Sequence, residues 1–532
     1  MQLLLRVAAL LAVVESAKVA VFILELSNSQ ILFNKRVAQT LAEGGHDVTL
    51  INIKPYKGLK SNVEKDGKLK EFIVDAAGNL TLREMEEAQG GMIFSEFSWF
   101  DKKSFAIMSV MSQMMAEACE KTILSQELFD FLAKEKFDVV YSHMYDYCAI
   151  GVIHKANIKS WIWLNSGGLM EYVGMSVGVP YFSSFMPPRG MDAGAKMTFL
   201  ERTKSLIGHN LFKIFYNRAI PAKQTALFRK HFGEDFPDLY HDLGPKCPLV
   251  MVNSNELYEQ ATPTLHKVIN IGGLGMQFKD AKPLPQEYDE LLSTTKGIFI
   301  MSFGSVANAT MMPQSWKESL MAAFAEFPEY HFVMRYAADD IESIRPKNVK
   351  LTKWIPQADL LKHPKTIGFI THGGYNSYQE TILAGKPMIA IALFGDQYRN
   401  GRMAEQLGFG LMCDKNSLAK GPEKLTEAIR QLISDKSYEQ AAQQLSKMAA
   451  KKPIKQEELL NKWTEFLAEF KTIDVLVPES QNLNFVQYNQ IDVLALLALI
   501  VFTVLFLLYR LVRCIVCCIC CRRNRPEKPK SE

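Results

Sequence analysis

The sequence predicts an α/β protein: two doubly wound, parallel-sheet domains in tandem, facing a cleft, followed by one transmembrane helix. Three observations predict it. Short apolar strands alternate with amphipathic helices in both halves, a Pro- and Gly-rich stretch separates the halves, and an uncharged apolar run stands before a basic tail. The 532 residues are 48% hydrophobic and 22% charged, which excludes collagen, low-complexity disorder and a disulfide-dense miniprotein. A net charge of +4 is too small over this length to imply a nucleic-acid partner. A mean hydropathy of −0.03 excludes a polytopic membrane protein and leaves room for one span.

The opening residues read as a signal peptide over 1–16. A basic start ending at Arg6 precedes the apolar run Val7–Val14, and Ser16-Ala17 supply the small residues at the exit. A first α/β domain is expected over 17–260. It opens with the strand Lys18–Leu26 and the loop Ser27-Asn-Ser-Gln30. A helix follows in which Leu32, Val37, Ala38, Leu41 and Ala42 recur near helical spacing, and Gly44-Gly45 stop it. Val48–Ile53 is the next strand, so the unit is β-loop-α-β and the pairing parallel. A helix over 119–135 and strands Val139–Tyr141 and Trp161–Leu164 continue the pattern. Val173–Pro188, rich in Gly, Pro, Ser and aromatics, reads as a long mobile loop of the kind that lines substrate sites.

A linker is expected over 261–290 and a second α/β domain over 291–450. Its strands are Ile298–Ser302, Tyr330–Arg335, Val349–Leu351, Ile367–Ile370 and Met388–Leu393; its helices are 314–326, 375–384 and 400–407. Two such domains place a cleft between the carboxyl ends of two sheets. A charged helical return and juxtamembrane segment occupies 451–490. The charge-free run Val493–Tyr509 is about 26 Å long as a helix, close to a bilayer's hydrocarbon core, and the span is set at 491–512. The basic tail 513–532 is cytosolic by the positive-inside rule, giving a single-pass type I protein with a luminal body. Five of the nine cysteines (Cys514, Cys517, Cys518, Cys520, Cys521) lie at the membrane exit, where palmitoylation is the natural chemistry. Cys119, Cys148, Cys247 and Cys413 are spread so widely that any disulfide is expected to be incidental to the fold. Asn79 and Asn308 head glycosylation sequons. Lys528 and Lys530 resemble the retrieval signal of endoplasmic reticulum membrane proteins, which makes that membrane the expected location.

The second domain carries the informative residues, and each cluster follows a strand. Gly304-Ser305 ends the first strand in a turn that can offer N–H groups to a phosphate. Trp354 and Gln357 pair an aromatic plate with an amide, suited to a nucleobase. In Thr371-His372-Gly-Gly374-Tyr-Asn376-Ser377-Tyr-Gln-Glu380 the glycines allow close backbone approach. Asn376-Ser377 open a helix whose free N–H groups and dipole favour a diphosphate. Glu380, one turn above, is placed to accept two ribose hydroxyls. Asp396 and Gln397 follow the next strand, where a sugar's hydroxyls could be held.

From Trp354 to Gln397 these residues resemble the signature of the UDP-dependent glycosyltransferases, as W-x-P-Q, F-I-T-H-G-G-x-N-S-x-x-E, G-x-P-M and F-x-D-Q. The whole chain is similar to the animal UDP-glucuronosyltransferases. The resemblance implies a GT-B architecture of two Rossmann-like domains, the second holding a UDP-sugar and the first a small lipophilic acceptor. It implies that Trp354 and Gln357 face uridine, that Ser305, His372, Asn376 and Ser377 face the diphosphate, Glu380 the ribose, and Asp396 with Gln397 the sugar. It implies inverting transfer of glucuronate or glucose, a conjugation reaction of detoxification, with no cofactor beyond UDP-glucuronate or UDP-glucose and no metal ligands. Oligomerisation with itself or with relatives stays open.

One departure stands out. The family's base histidine follows the first strand, and counting back from His46 its position falls on Gln30, while the partner Asp position falls on His143. A glutamine cannot take a proton. His143, oriented by Asp146, is therefore the candidate base, because strand ends of one parallel sheet open onto one crevice. The competing reading is a non-catalytic member that binds UDP-sugar or lipophile; transfer of radiolabelled sugar separates the two.

Overall fold

The computed structural model describes residues 16–57, 69–79, 81, 84, 93–94, 102–276, 284–304 and 307–523. The signal-peptide residues 1–15, Ser305 and the lysine signal at Lys528 and Lys530 lie outside them.

The first half folds in the order β1 (Lys18–Leu24), α1 (Asn28–Glu43), β2 (Asp47–Lys54), β3 (Lys70–Asp75), α2 (Lys102–Ile123), α3 (Gln126–Glu135), β4 (Val139–His143), α4 (Cys148–Lys155), β5 (Trp161–Asn165), α5 (Glu171–Val177), α6 (Phe199–Ala219), α7 (Pro221–Phe232), β6 (Leu249–Val252) and β7 (Val268–Asn270). All seven strands pair in parallel in the order β3-β2-β1-β4-β5-β6-β7. The inner strands are near-continuous apolar runs because helices cover both faces. On one face Val19, Val21 and Ile23 pack with Ile31 and Val37 of α1; on the other Ala20, Phe22 and Leu24 pack with Leu128, Ile150 and Phe228.

The second half runs α8 (Gln286–Thr294), β8 (Gly297–Ser302), α9 (Gln314–Ala325), β9 (Tyr330–Arg335), β10 (Val349–Thr352), α10 (Gln357–Lys362), β11 (Thr366–Thr371), α11 (Tyr375–Ala384), β12 (Met388–Ala390), α12 (Gln397–Gln406), β13 (Gly410–Met412), α13 (Glu423–Ser434), α14 (Ser437–Ala450) and α15 (Gln456–Phe470). Its sheet is again wholly parallel, in the order β10-β9-β8-β11-β12-β13. Both sheets are Rossmann-like, and in each the strand order reverses once, between β1 and β4 and between β8 and β11. Such reversal points open the crevice in which ligands of doubly wound sheets bind.

Four expectations change. The helix expected over 119–135 is two helices: Ser125 starts α3 by accepting the Leu128 N–H, 3.3 Å away. The loop expected over Val173–Pro188 begins within α5, which Gly178, at φ +94°, ends. The stretch 261–290 contains β7, so the first sheet continues to Asn270. Cys119 and Cys148 form a disulfide between α2 and the start of α4, beside Asp146, so that bridge is not incidental.

After α14 the chain returns to the first sheet. Leu460 and Leu467 of α15 enter its core beside Val19 and Tyr141, and Tyr141 Oη lies 2.6 Å from Thr464 Oγ1. The structure divides into the body ending at Val477 and a second unit beginning at Pro478. In that second unit, α16 (Phe485–Tyr488) precedes α17 (Ile491–Arg523), the one helix among the described residues long and apolar enough to cross a membrane, over Ile491–Ile519. Asn79 and Asn308 are exposed.

Candidate functional site

The crevice in the second half is built on β8 and β11. β11 ends at Thr371, and His372 is lodged between two glycines. A Cβ on Gly304 would lie 2.7 Å from His372 Cε1, and one on Gly374 would lie 2.3 Å from His372 Nε2. Gly304 also needs its φ of +74°. Burial lowers the His372 pKa to about 4, against a smaller raising effect of the Ser302 backbone. At neutral pH this imidazole is uncharged and can donate one hydrogen bond; it is not a cation.

α11 starts at Tyr375 behind Gly374, and its two faces do different work. Tyr375, Tyr378 and Gln379 recur at helical spacing on the buried face and bond to the segment after β6. Tyr375 Oη donates to Ser254 Oγ at 2.9 Å, Tyr378 Oη to the Tyr258 carbonyl at 2.8 Å, and Gln379 Nε2 to the Asn253 carbonyl at 3.0 Å. Asn376 and Glu380 share the other face, toward the crevice. Asn376 Nδ2 reaches the Ser29 carbonyl of α1, 3.5 Å away, and its Oδ1 is buried with no partner in the protein. Gln357, the first residue of α10, donates from Nε2 to Glu380 Oε2 at 2.5 Å. Burial raises the Glu380 pKa, opposed by Gln357 and by Arg36 of α1. Ser377 is buried in the first turn of α11.

Trp354, just past β10, is 73% exposed and so is no core residue. Arg335 stacks over its indole, 5.6 Å from the ring centroid, and donates from Nη1 to the Gly304 carbonyl at 2.7 Å. Asn400 of α12 ties two clusters together: its Nδ2 donates to the Gly373 carbonyl at 2.9 Å and to Asp396 Oδ2 at 3.1 Å. The Gln397 carbonyl oxygen accepts from the backbone N–H of Leu393 and Phe394, at 2.8 and 3.1 Å, so this side chain braces its own loop.

In the first half, His143 is the last residue of β4, at the other reversal point. It is 1% exposed, and Asp146 is 2% exposed. His143 Nε2 stands 3.5 Å from Asp146 Oδ1, and neither ring nitrogen has a hydrogen-bond partner in the protein. Asp146 is held by Gln224 Nε2 at 3.0 Å and the Cys148 N–H at 3.2 Å. Burial lowers the His143 pKa and raises that of Asp146, each opposed by the other's charge. An unbonded neutral imidazole keeps a lone pair available for a proton. Gln30 is buried, its carbonyl oxygen 3.4 Å from the Leu26 N–H. Tyr145 stands between His143 and Asp146 in the chain, 3.3 Å from Ser166 Oγ; burial raises its pKa, and Asp396 of the second half adds to the rise.

The structure thus groups Gln357 with Glu380, His372 with Gly304 and Gly374, Asp396 with the His372 turn through Asn400, and His143 with Asp146. Sequence reasoning missed Arg36, Tyr145, Gln224, Arg335 and Asn400. Asn400 alone had a local pattern to offer, four residues after Asp396, but the helix expected over 400–407 left Asp396 outside it, whereas the observed helix starts at Gln397.

The chain matches the family described as UDP-glucoronosyl and UDP-glucosyl transferase over residues 17–525. It is 29% identical over 500 residues to the Caenorhabditis elegans relative named UDP-glucuronosyltransferase ugt-48, covering 92% of this chain and 94% of that one. It is 26% identical over 471 residues to human UDP-glucuronosyltransferase 2B15, covering 87% and 86%. The crystal structure of the kitacinnamycin glycotransferase shares the GT-B fold, with a TM-score of 0.56 at 16% identity, covering 86% of this chain and all of that one. With a match from residue 17 to residue 525 and the two facing Rossmann-like sheets already described, the chain belongs to the UDP-glucoronosyl and UDP-glucosyl transferase family and is a glycosyltransferase.

Proposed function

We propose that this enzyme transfers glucuronate from UDP-glucuronate to small lipophilic acceptors with inversion, a conjugation reaction, in the lumen of the endoplasmic reticulum. In this reading α17 anchors the body to the membrane as a type I protein with the basic tail in the cytosol. The observation that carries it is the pairing of Gln357 and Glu380 one turn above the free N-terminus of α11, with His372 beside it. That arrangement suits a nucleoside diphosphate read along one helix. Trp354 and Gln357 hold uridine, and Glu380 accepts the ribose hydroxyls. Ser305, Asn376, Ser377 and the N–H of neutral His372 meet the diphosphate, which the Gly374 backbone approaches closely. Asp396 and Gln397 hold the sugar.

The acceptor oxygen attacks C1 from the face opposite UDP. The C1–O bond to the diphosphate breaks with its electron pair staying on UDP, and the acceptor proton passes to His143, which Asp146 orients. Charge developing on UDP is met by the N–H groups and dipole of α11.

The relatives' names, glucuronosyltransferases, support glucuronate as the sugar. One observation favours UDP-glucose instead: Arg399, two residues from Gln397, is ion-paired with Glu259 at 2.5 Å and its charge is already met. Incubating microsomes with each radiolabelled UDP-sugar and a panel of phenols, amines and thiols tests the reading. Transfer from UDP-glucuronate supports it, transfer from UDP-glucose alone replaces the sugar, and transfer from neither refutes it.

A further inference from the structure

The turn that follows β4 is held from two helices. Gln224, in the first turn of α7, is 1% exposed and uses both ends of its amide. Its Oε1 accepts from the Tyr147 N–H at 2.9 Å, and its Nε2 donates to Asp146 Oδ2 at 3.0 Å. A backbone N–H can only donate, so the amide has one possible orientation and its NH2 group faces the carboxylate. The other oxygen, Asp146 Oδ1, accepts from the Cys148 N–H at 3.2 Å, and Cys148 is bridged to Cys119 of α2. That same oxygen stands 3.5 Å from His143 Nε2. α2 and α7 are themselves tied, Lys223 Nζ donating to Ser112 Oγ at 3.0 Å and Lys230 Nζ to Glu120 Oε1 at 2.7 Å. The docking of α7 does not depend on Gln224: the Phe228 ring lies over Gly151 of α4, where a Cβ would come within 2.3 Å of Phe228 Cζ.

We infer that Gln224 is a positioning residue of the transfer step: by joining the Tyr147 N–H to Asp146 Oδ2 it fixes the carboxylate with Oδ1 toward His143, and so completes a chain His143–Asp146–Gln224 drawn from β4, the turn after it and α7. This inference rests on the base reading proposed above. The acceptor's proton converts His143 to an imidazolium where both His143 and Asp146 are almost wholly buried. A charge formed there is stabilised only by a partner already aligned, because the surroundings cannot reorganise as water would. Without Gln224 the carboxylate keeps the Cys148 N–H as its one hydrogen-bond donor and is free to turn about it. Burial raises the Asp146 pKa, and His143, Gln224 and the Cys148 N–H oppose that rise, so the amide also favours the ionised form.

The test is steady-state transfer by the full-length enzyme in microsomes, from the donor that the wild type uses, to two acceptors. One is a simple phenol with a pKa of about 10; the other is a nitrophenol mostly ionised at the assay pH, which has no proton left to give. The proteins are wild type, Gln224→Met, Gln224→Glu, Asp146→Asn, the Gln224→Met/Asp146→Asn double variant and His143→Ala, each with a thermal melt. Gln224→Met is expected to lower kcat on the simple phenol about 10- to 100-fold, with the donor KM unchanged and turnover of the nitrophenol close to wild type. Gln224→Glu keeps an acceptor for the Tyr147 N–H but sets a second carboxylate against Asp146, so it should fall as far; it carries the comparison if Gln224→Met does not fold. The double variant should be no slower than Asp146→Asn, since both act through one carboxylate. Equal losses on the two acceptors overturn the inference, because Gln224 would then hold the fold and not the base. Wild-type turnover of the simple phenol by Gln224→Glu overturns it too, as the Tyr147 bond alone would suffice. Wild-type turnover by Gln224→Met, beside a His143→Ala variant that fails on the simple phenol, overturns it and leaves the base reading standing. A His143→Ala variant with normal turnover of the simple phenol overturns both.

Discussion

Gly374→Ala is a direct probe of His372. Gly374 has φ −58° and ψ 145°, a backbone conformation open to any residue, so the substitution introduces no backbone strain. Its only obstacle is the imidazole: the new Cβ would lie 2.3 Å from Nε2, 2.8 Å from Cε1 and 3.2 Å from Cδ2, well inside the usual contact distance of about 3.5–4.0 Å. On its other side the ring packs against the Gly304 backbone, where only a glycine leaves room for it, since a Cβ there would lie 2.7 Å from Cε1. The ring must leave its place or the turn must shift, at a cost of roughly 1–3 kcal/mol of overpacking. On the proposed donor reading, the site then loses the hydrogen bond that the N–H of neutral His372 would give to the departing diphosphate. A hydrogen bond to a charged group contributes about 1.5–3 kcal/mol, so turnover should fall roughly 10- to 100-fold. The assay is steady-state transfer with donor varied, beside a thermal melt to confirm folding. A folded Gly374→Ala enzyme with wild-type kcat and kcat/KM for the donor would show that His372 gives nothing to the reaction.

Other expectations follow from the same geometry. His143→Ala should lower turnover on phenols by about 10²–10⁴ with UDP affinity unchanged; near-normal turnover would remove His143 from the base role. Because burial holds the His143 pKa below the ordinary 6.5, the base form persists to lower pH, and the acidic limb of wild-type kcat/KM should lie below pH 6.5. Glu380→Ala should raise the UDP dissociation constant about tenfold or more, measured by titration. Cys119→Ser opens a loop with a sequence separation of 29, a loss of about 3–4 kcal/mol by chain entropy, read as a lower melting temperature. It should also lower activity, because the Cys148 N–H holds Asp146. Resistance to alkaline carbonate extraction, with the tail digested by protease in intact microsomes, checks the anchor and its orientation.

Legibility followed the strength of local signals. In the second half, Tyr330–Arg335 and the helix 375–384 lie where the sequence puts them, since Pro328 ends the preceding helix just before that apolar strand and Gly385 closes α11 in the left-handed region. β3 was missed because its sequence, KEFIVD, is that of an exposed edge strand with charges at three of six positions. β7 is three residues long, with Thr262-Pro263-Thr264 shortly before it and Gly272-Gly273 shortly after, so it read as linker. Among site residues, the motif on α11 and its flanks was legible because backbone approach and helix N-termini demand particular residue types at fixed spacing. Gln224 was not, because its partner Asp146 lies 78 residues away, nor was the Ser29–Asn376 contact, which joins residues 347 apart; Tyr145 meets Ser166 only 21 residues on, but no spacing rule marks that pair.

The concentration of readable chemistry on α11 has a mechanical cause. Its buried face closes the two halves on each other through Tyr375, Tyr378 and Gln379, while its crevice face presents Asn376 and Glu380. A ligand that binds the crevice face therefore works on the same rigid element that sets the domain interface. Any shift of α1 relative to α11 moves Ser29 against Asn376 and carries the rest of α1 with it, since α1 is a single unbroken helix from Asn28 to Glu43. Gln30, in the first turn of α1, moves with them at the position where relatives are expected to hold their base. By linkage, whatever binds the crevice face of α11 and whatever binds against α1 would then favour or oppose each other by the same factor, whichever binds first.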